Sequence, residues 1–311
     1  MFLQQAIVAV EVAPEARQSE EILHWILKQP GKSTPQSESA AQLLISHHTN
    51  SARSLRALLT FAQRPAKWTP AIFEAFSKAN KTSKDFWIVE ATNALHAKSL
   101  LEIADDIQAA NNRHEYEPRL GNELVSRLAK ADLDELESSL VQSLSSISKK
   151  YGRKRMGGLT VREFADGMLF SVKHLRLGKE VYDLKGESPD GNEISLSHHE
   201  GKVVMLDFWA TWCAPCIGVL PELKESTSQY DPVRFVLIGV SADRDVKQLQ
   251  SAMTRHEITW PIIHDKNSTL QTKWQALSLP YYYVLDANHV VCYRGNDHRL
   301  ALNTAQRLLR E

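Results

Sequence analysis

The chain has 311 residues, 43% of them hydrophobic, and its 37 basic residues equal its 37 acidic ones in number. A chain of this length and apolar content can bury a large core, and two domains are the simplest arrangement. The balanced charge gives no electrostatic argument for binding nucleic acid or an acidic membrane surface. With only three cysteines, the chain is not a disulfide-stapled scaffold, so a close cysteine pair is better interpreted as reactive.

The start of the chain carries no targeting signal that we can identify. Residues 1–10 are mostly apolar, but they lack a basic segment and a small-residue cleavage site, so no signal peptide is predicted. No run approaches the roughly 20 apolar residues that span a bilayer. The sequence therefore predicts no membrane segment.

Residues 1–150 are predicted to form an all-helical domain, because apolar residues recur there at three- and four-residue steps. The clearest case begins at Asp132, which together with Glu135 forms an N-terminal capping pair. No titratable motif is clustered in this half, so we interpret it as a folding or partner-docking module without chemistry of its own. The predicted helical segments include 20–27, 40–46, 55–63, 86–100 and 132–147.

Residues 151–177 are predicted to connect two domains. The stretch 149–158 is basic and contains glycine, which could suit an anionic partner. Because the chain is neutral overall, a solvated linker is the preferred interpretation. A helix over about 160–174 then leads into the second domain.

Residues 178–311 are predicted to form an α/β domain. Continuous apolar runs at 203–209 and 233–240 are typical of strands buried on both faces. The remaining pattern predicts alternating strands and helices that close with a hairpin around the turn 286–289. Helices are predicted at 213–229, 245–256, 268–275 and 300–310, and the hairpin strands at 281–285 and 290–293.

The strand at 203–209 leads directly into a Cys-x-x-Cys pair, Cys213 and Cys216. A helix that starts near Cys213 places this sulfur at a helix N-terminus, where free backbone N–H groups and the helix dipole favour the thiolate. Cys216, one turn on, is close enough to resolve a mixed disulfide. A zinc site would need two further ligands, and no second Cys-x-x-Cys or His-x3-His motif is present. The spacing therefore favours redox chemistry, with no metal and no bound cofactor.

Around this pair the chain resembles the bacterial TlpA/ResA-like thiol-disulfide oxidoreductases of the broader AhpC/TSA and redoxin group, which have the thioredoxin fold. The segments 190–197, 235–243, 260–265 and 279–286 follow in that family's order. The resemblance implies a central mixed sheet with flanking helices in the C-terminal domain. It also implies protein disulfides or dithiols as substrates, an upstream redox partner, and electron flow that is more often reductive. It does not extend to residues 1–150.

The resemblance implies roles for three residues: Cys213 is the nucleophile, Cys216 is the resolving cysteine, and Asp207 is the general base that accepts the proton of the resolving thiol. Burial of a carboxyl group raises its pKa toward the range useful for that task. The closer relatives more often have asparagine at the position of Asp207 and a glutamate three residues after the second cysteine. This chain has Val219 there, so their glutamate-dependent mechanism is not carried over.

Five further positions are predicted to bind substrate. Pro280 matches the family's cis-proline beside the sulfurs, and Leu279 would offer its backbone to an extended substrate segment. Trp212, Ala214 and Pro215 are expected on the surface that meets the partner.

Two alternatives remain for the function. A thiol peroxidase of the AhpC/TSA type would require a Pro-x-x-x-Thr-x-x-Cys motif. Here the strand before the pair has no proline where the motif requires one, and Ala210 replaces the threonine. A non-catalytic docking protein would leave the helical domain to contact partners. The resemblance implies an extracytoplasmic or periplasmic location, whereas the missing signal peptide favours the cytoplasm as the alternative.

Overall fold

The structure is a computed structural model that describes residues 2–29, 31–110, 113–156, 158–181, 184–276 and 278–311. The chain divides into two compact units, Met1–Leu169 and Phe170–Glu311. The division falls inside a helix, Val161–His174, within the segment 151–177 for which we predicted a connection. We call the first the helical unit and the second the sheet unit.

The helical unit is built around one long helix. Its helices are α1 (Phe2–Val12), α2 (Arg17–Leu27), α3 (Pro35–His47), α4 (Ala52–Gln63), α5 (Thr69–Asn80), α6 (Phe86–Ala110), α7 (Arg113–Leu120), α8 (Asn122–Leu128) and α9 (Leu133–Tyr151). Helix α6 packs against α4, α5, α8 and α9. Within the described residues, no helix has both the length and the apolar character needed to cross a membrane.

Helix α9 shows how the sequence sets a helix in this unit. The Asp132 side chain caps it by accepting hydrogen bonds from the backbone N–H groups of Asp134 and Glu135, at 3.0 and 3.1 Å. Leu140, Leu144 and other apolar residues at three- and four-residue steps are buried on one face. The helix predicted over 132–147 is therefore confirmed.

The stretch predicted as a solvated linker contains a short hairpin instead. Strands β1 (Arg155–Met156) and β2 (Leu159–Thr160) pair antiparallel. Thr160 then donates from its backbone N–H and its hydroxyl to Glu163, at 2.7 and 2.8 Å, and so starts helix α10 (Val161–His174). Paired strands order the backbone here, while most of the described side chains in 149–158 are exposed. That this stretch links two domains stays a prediction, and Gly157 lies outside the described residues.

The sheet unit has a five-stranded mixed sheet in the order β7-β6-β5-β8-β9, preceded by the hairpin of β3 (Lys185–Glu187) and β4 (Glu193–Ser195). Its strands are β5 (Val203–Trp209), β6 (Phe235–Ser241), β7 (Ile262–His264), β8 (Tyr281–Leu285) and β9 (Val291–Gly295). Strands β5, β6 and β7 run parallel to one another. Strand β8 runs antiparallel to both of its neighbours, β5 and β9. The helices are α11 (Ala214–Thr227), α12 (Val246–Arg255), α13 (Thr269–Lys273) and α14 (His298–Arg310). The predicted mixed sheet with flanking helices is confirmed.

Strand β5 is buried along its whole length, as its continuous apolar run predicts. Because side chains alternate across a strand, Val204, Leu206 and Phe208 pack into the core on one face of the sheet. Met205 packs on the other face with residues of α11 and α14. Asp207 has the same parity as Met205 and therefore points to this second face.

Strand β6 starts two residues later than predicted. Val233 is 73% exposed, and its backbone N–H donates to the side chain of Asp231 at 2.8 Å. This turn keeps residue 233 out of the sheet although it is apolar. Apolar character alone did not distinguish the turn from the strand.

Candidate active site

The cysteine pair lies at the junction of β5 and α11. Cys213 is the N-cap residue of α11, and its Sγ accepts a hydrogen bond from the backbone N–H of Cys216 at 3.3 Å. The two cysteines are joined by a disulfide bond. A sulfur at this position faces the free N–H groups and the positive end of the helix dipole, which favour the thiolate once the pair is reduced.

The two sulfur-bearing residues differ in accessibility. Cys213 is 6% exposed and Cys216 is 1% exposed. Trp212 beside them is 68% exposed, and Ala214 and Pro215 also lie on the surface. An incoming sulfur atom therefore reaches Cys213 more easily than Cys216, across a rim that is largely apolar.

Asp207 lies in the middle of the sheet, opposite Gly239 of β6 and Tyr282 of β8. It is 2% exposed, and its Oδ1 has no hydrogen-bond partner among the described residues. Burial raises the pKa of Asp207 to about 7. A carboxyl group with this pKa can take up or release a proton near neutrality.

The surroundings of Asp207 connect it to the cysteine pair. Trp209, two residues along the same face of β5, packs in one apolar cluster with Cys213 and Cys216. The close packing depends on Gly239, because a Cβ atom there would lie 3.0 Å from Trp209 Nε1 and 2.4 Å from a side-chain carbon of β7. Asp207 thus lies two residues along the strand, on the same face, from a tryptophan that packs in one cluster with both cysteines.

The loop before β8 lies against the same cluster. The peptide bond between Leu279 and Pro280 is cis, and the Leu279 side chain packs against the cluster that contains both cysteines. The Asn296 side-chain amide donates to the carbonyl groups of Pro280 and Ser278 and fixes the loop from the end of β9.

Asp243, which was not among the predicted site residues, holds the loop before the cysteines. It is 1% exposed and accepts hydrogen bonds from the Thr211 backbone N–H at 2.9 Å and from the Thr211 hydroxyl at 2.6 Å. It also accepts one from the Ser241 hydroxyl at 2.7 Å. The available signal was its place directly after β6, since parallel neighbours β5 and β6 end at the same edge of the sheet.

Two further observations bear on the predicted chemistry. Val219 of α11 packs, partly buried, against the apolar cluster on the face toward α14. The Val219 side chain has no proton to exchange and cannot replace the glutamate of the relatives. The buried acid nearest in sequence to the pair is Asp207. Among the described residues, no three His, Cys, Asp or Glu side chains are grouped so that they could hold a metal ion.

The C-terminal part of the chain is similar to known proteins. Residues 177–294 match the AhpC/TSA family. The thioredoxin-like protein YneN of Bacillus subtilis is 31% identical over 116 residues, which cover 37% of this chain and 68% of YneN. The thiol-disulfide oxidoreductase ResA of Oceanobacillus iheyensis is 31% identical over 120 residues, 37% of this chain and 62% of ResA. A solved thioredoxin domain of a Bacteroides vulgatus thiol-disulfide oxidoreductase is 21% identical, with a TM-score of 0.40 over 43% of this chain and 97% of that one.

The chain therefore belongs to the AhpC/TSA family, among its thioredoxin-like thiol-disulfide oxidoreductases. The predicted resemblance to the ResA-like proteins is confirmed, and the protein is an oxidoreductase. The match starts at residue 177, so the helical unit lies outside it.

Proposed function

We propose that the protein reduces disulfide bonds in protein substrates through Cys213, Cys216 and Asp207. The observation that carries the proposal is the position of Cys213 at the N-cap of α11, where its sulfur accepts the Cys216 N–H, on a strand and helix that also bury the Asp207 carboxyl group. The stabilised thiolate supplies the attacking group, and the buried carboxyl group supplies a proton acceptor for the second cysteine.

The first step is attack by the Cys213 thiolate on one sulfur of the substrate disulfide. The substrate S–S bond breaks, a new S–S bond joins Cys213 to the substrate, and the second substrate sulfur leaves as a thiolate that takes up a proton. The greater exposure of Cys213, 6% against 1% for Cys216, supports this assignment of the nucleophile.

The second step resolves the mixed disulfide. Asp207 accepts the proton of the Cys216 thiol, and the resulting thiolate attacks Cys213 Sγ. The Cys213–Cys216 disulfide forms, and the first substrate sulfur leaves with the electron pair. Two electrons have then passed to the substrate, and a dithiol of an upstream redox partner restores the reduced pair. Burial, which raises the pKa of Asp207 to about 7, gives this carboxyl group the basicity for the step.

The substrate lies against a rim of five residues during both steps. Leu279 offers its backbone groups to an extended segment ahead of Pro280, since its side chain is already packed against the cysteine cluster. The exposed Trp212 ring covers apolar substrate surface, and Ala214 and Pro215 leave room for the backbone.

The helical unit is proposed to dock a partner protein, and the exchange itself requires no bound cofactor, because the cysteine pair stores the electrons. Disulfide substrates persist in oxidising compartments, so we place this activity outside the cytoplasm. Alkylation of the Cys213–Cys216 pair in separated cell fractions tests the location, and a pair found only in the cytosolic fraction would contradict it.

The reduction potential of the pair tests the direction of electron flow. The full chain is equilibrated with glutathione buffers, and free thiols are counted by alkylation. We expect a value near the roughly −270 mV of thioredoxin, and a value near the roughly −120 mV of a strong oxidant would make the protein a disulfide donor. Reduction of a protein disulfide is followed in parallel, and its absence at every poise would overturn the proposal.

A further inference from the structure

A groove lies beside the cysteine pair, between α11 and α12. Its cavity has a volume of about 470 Å³. The lining includes two cationic side chains and a histidine, but no aspartate or glutamate. We call it the basic groove; it is lined by Thr211, Ile217, Lys247, Gln248, Ser251, Ala252, Arg255 and His256.

The basic groove starts next to the reactive sulfur. Ile217 forms one wall, and its backbone N–H donates to the carbonyl of Cys213 at 3.1 Å, so wall and nucleophile share one helical turn. Thr211 forms the near end, two residues before Cys213, and its position is fixed by Asp243. A substrate chain that reaches Cys213 from this side therefore passes over the groove.

The cations of the groove are arranged in a row. Lys247, Ser251 and Arg255 are spaced at four-residue steps and so lie along one face of α12. Neither Lys247 nor Arg255 forms an ion pair with any residue that the structure describes. Both head groups are therefore available to an anionic partner.

The acidic residues nearby in sequence are engaged elsewhere. Asp243 is buried on Thr211 and Ser241, and the Asp245 side chain caps α12 by accepting the backbone N–H of Lys247. Glu257 pairs with Lys224. Among the described residues, these three carboxylates are thus held by other groups and form no ion pair with Lys247 or Arg255.

A second small cavity has a basic lining too. It is lined by Arg244, Lys266 and two neutral residues, again without a carboxylate. Arg244 and Lys266 follow β6 and β7, whose carboxyl ends lie at the same edge of the sheet as that of β5. The edge of the sheet that leads to the cysteine pair therefore also carries Arg244 and Lys266.

We propose that the basic groove binds an acidic polypeptide segment that flanks the substrate disulfide. The inference rests on the proposed function and specifies its substrate class. Lys247 and Arg255 are eight residues apart, about 12 Å along a helix, which an extended chain spans in about four residues. The preferred substrate then carries two carboxylates about four residues apart, on one side of its cysteine.

The test compares two peptides that contain the same disulfide. One carries two glutamates four residues apart beside a cysteine, and the other carries glutamines at the same positions. We expect the full-length wild type to reduce the acidic peptide about tenfold faster in kcat/KM at low salt, with the ratio falling as salt is added. The double variant Lys247→Glu and Arg255→Glu should abolish or reverse the ratio.

A charge-matched control separates the groove from the net charge of the protein. Lys202 directly precedes β5, at the opposite end of the strand from the cysteines, and Arg310 ends α14. Lys202→Glu with Arg310→Glu changes the net charge equally and should keep the preference. Equal loss of the preference in both double variants, or an unchanged preference in the groove variant, would overturn the inference.

An uncharged small disulfide distinguishes this inference from the proposed function. All variants should reduce it at the wild-type rate, because none of the substituted residues takes part in the exchange. Wild-type protein that reduces the small disulfide but treats both peptides alike would refute the basic groove alone. Wild-type protein that reduces none of the three substrates would refute the proposed function and this inference together.

Discussion

In the helical unit the buried residues His24 and His96 have hydroxyl partners, whereas in the sheet unit the buried Asp207 has an oxygen without a partner. His24 Nε2 lies 2.9 Å from Ser54 Oγ, and His96 Nε2 lies 3.0 Å from Thr69 Oγ1. Asp207 Oδ1 has no hydrogen-bond partner among the described residues. Satisfied buried polar groups fix a fold, whereas an unsatisfied one beside a reactive pair is available for chemistry.

The same comparison predicts opposite responses to pH. Burial lowers the pKa of His24 and of His96 to about 4, so each is neutral in the native state. Burial raises the pKa of Asp207 to about 7. A fall in pH therefore destabilises the helical unit, and a rise in pH destabilises the sheet unit.

The largest expected effect is the loss of disulfide exchange when a cysteine of the pair in the sheet unit is replaced. Cys213→Ser should lower the reduction of a protein disulfide by at least about a thousandfold, because serine offers no thiolate. Cys216→Ser should instead accumulate a mixed disulfide, visible by mass spectrometry. Residual exchange in the Cys213→Ser, Cys216→Ser double variant above the rate without protein would show that the third cysteine, Cys292 of β9, contributes, and the assignment of the chemistry to the Cys213–Cys216 pair would fail.

Asp207→Asn should separate stability from activity in the sheet unit. Between pH 3.8 and about 7 the native carboxyl group keeps a proton that the unfolded chain has released, so stability falls as pH rises through this interval. At pH 8 the variant should gain up to about 4 kcal/mol in the free energy of unfolding, and at pH 4 almost nothing. Activity should fall by about ten- to a hundredfold.

Asp265→Asn is the matched control for that experiment. Asp265 is also buried, but it accepts the backbone N–H groups of Thr269 and Gln271, each at 2.8 Å. Burial raises the pKa of Asp265 as well, but the backbone N–H groups oppose that shift, and asparagine would leave one of them without an acceptor. We therefore expect no gain in stability at pH 8 and a loss of up to about 3 kcal/mol. A gain in both variants would show that burial alone, and not the unpaired oxygen, sets the effect.

The histidines should give the helical unit the opposite slope. Below about pH 6.5 the unfolded chain binds protons that native His24 and His96 take up only near pH 4, so stability falls as pH drops across this range. Each histidine accounts for at most about 3 kcal/mol. Denaturant-dependent hydrogen exchange by mass spectrometry reads each unit separately in the full chain, after correction for the intrinsic rate at each pH.

The variant His24→Gln with His96→Gln isolates this effect. It should flatten the pH dependence in peptides of the helical unit and leave those of the sheet unit unchanged. A helical unit whose stability still falls between pH 6.5 and 4 would assign the slope to other groups.

The sequence predicted elements where one physical signal dominates. Strands β5 and β8 begin and end at the predicted residues, because each is a continuous apolar run bounded by turn residues. The burial of Asp207 could also be predicted, because a strand of otherwise apolar residues is expected to be buried on both faces. Its role as a base remains a prediction.

Other features depend on contacts between distant segments. The hairpin of β1 and β2 was missed because five cations in the seven residues 149–155 favour a solvated chain, whereas pairing of Arg155 with Thr160 decides the structure. The basic groove combines residues of α11 and α12 that lie about 30 positions apart in the chain, and no local pattern joins them.

The role of Asp243 also depends on a contact between distant segments, and its substitution gives the smallest expected effect on activity. Asp243→Asn replaces one carboxylate oxygen by a donor, so the Thr211 hydroxyl and backbone N–H compete for a single acceptor. We expect kcat for a protein disulfide to fall about tenfold, with KM little changed, because the loop that carries Cys213 is less well positioned. Thr211→Val removes the hydroxyl and keeps the backbone bond, and it should show a smaller loss of the same kind. Asp243 acts through Thr211 only if combining the two substitutions costs no more than Asp243→Asn alone; additive losses would place the effect elsewhere.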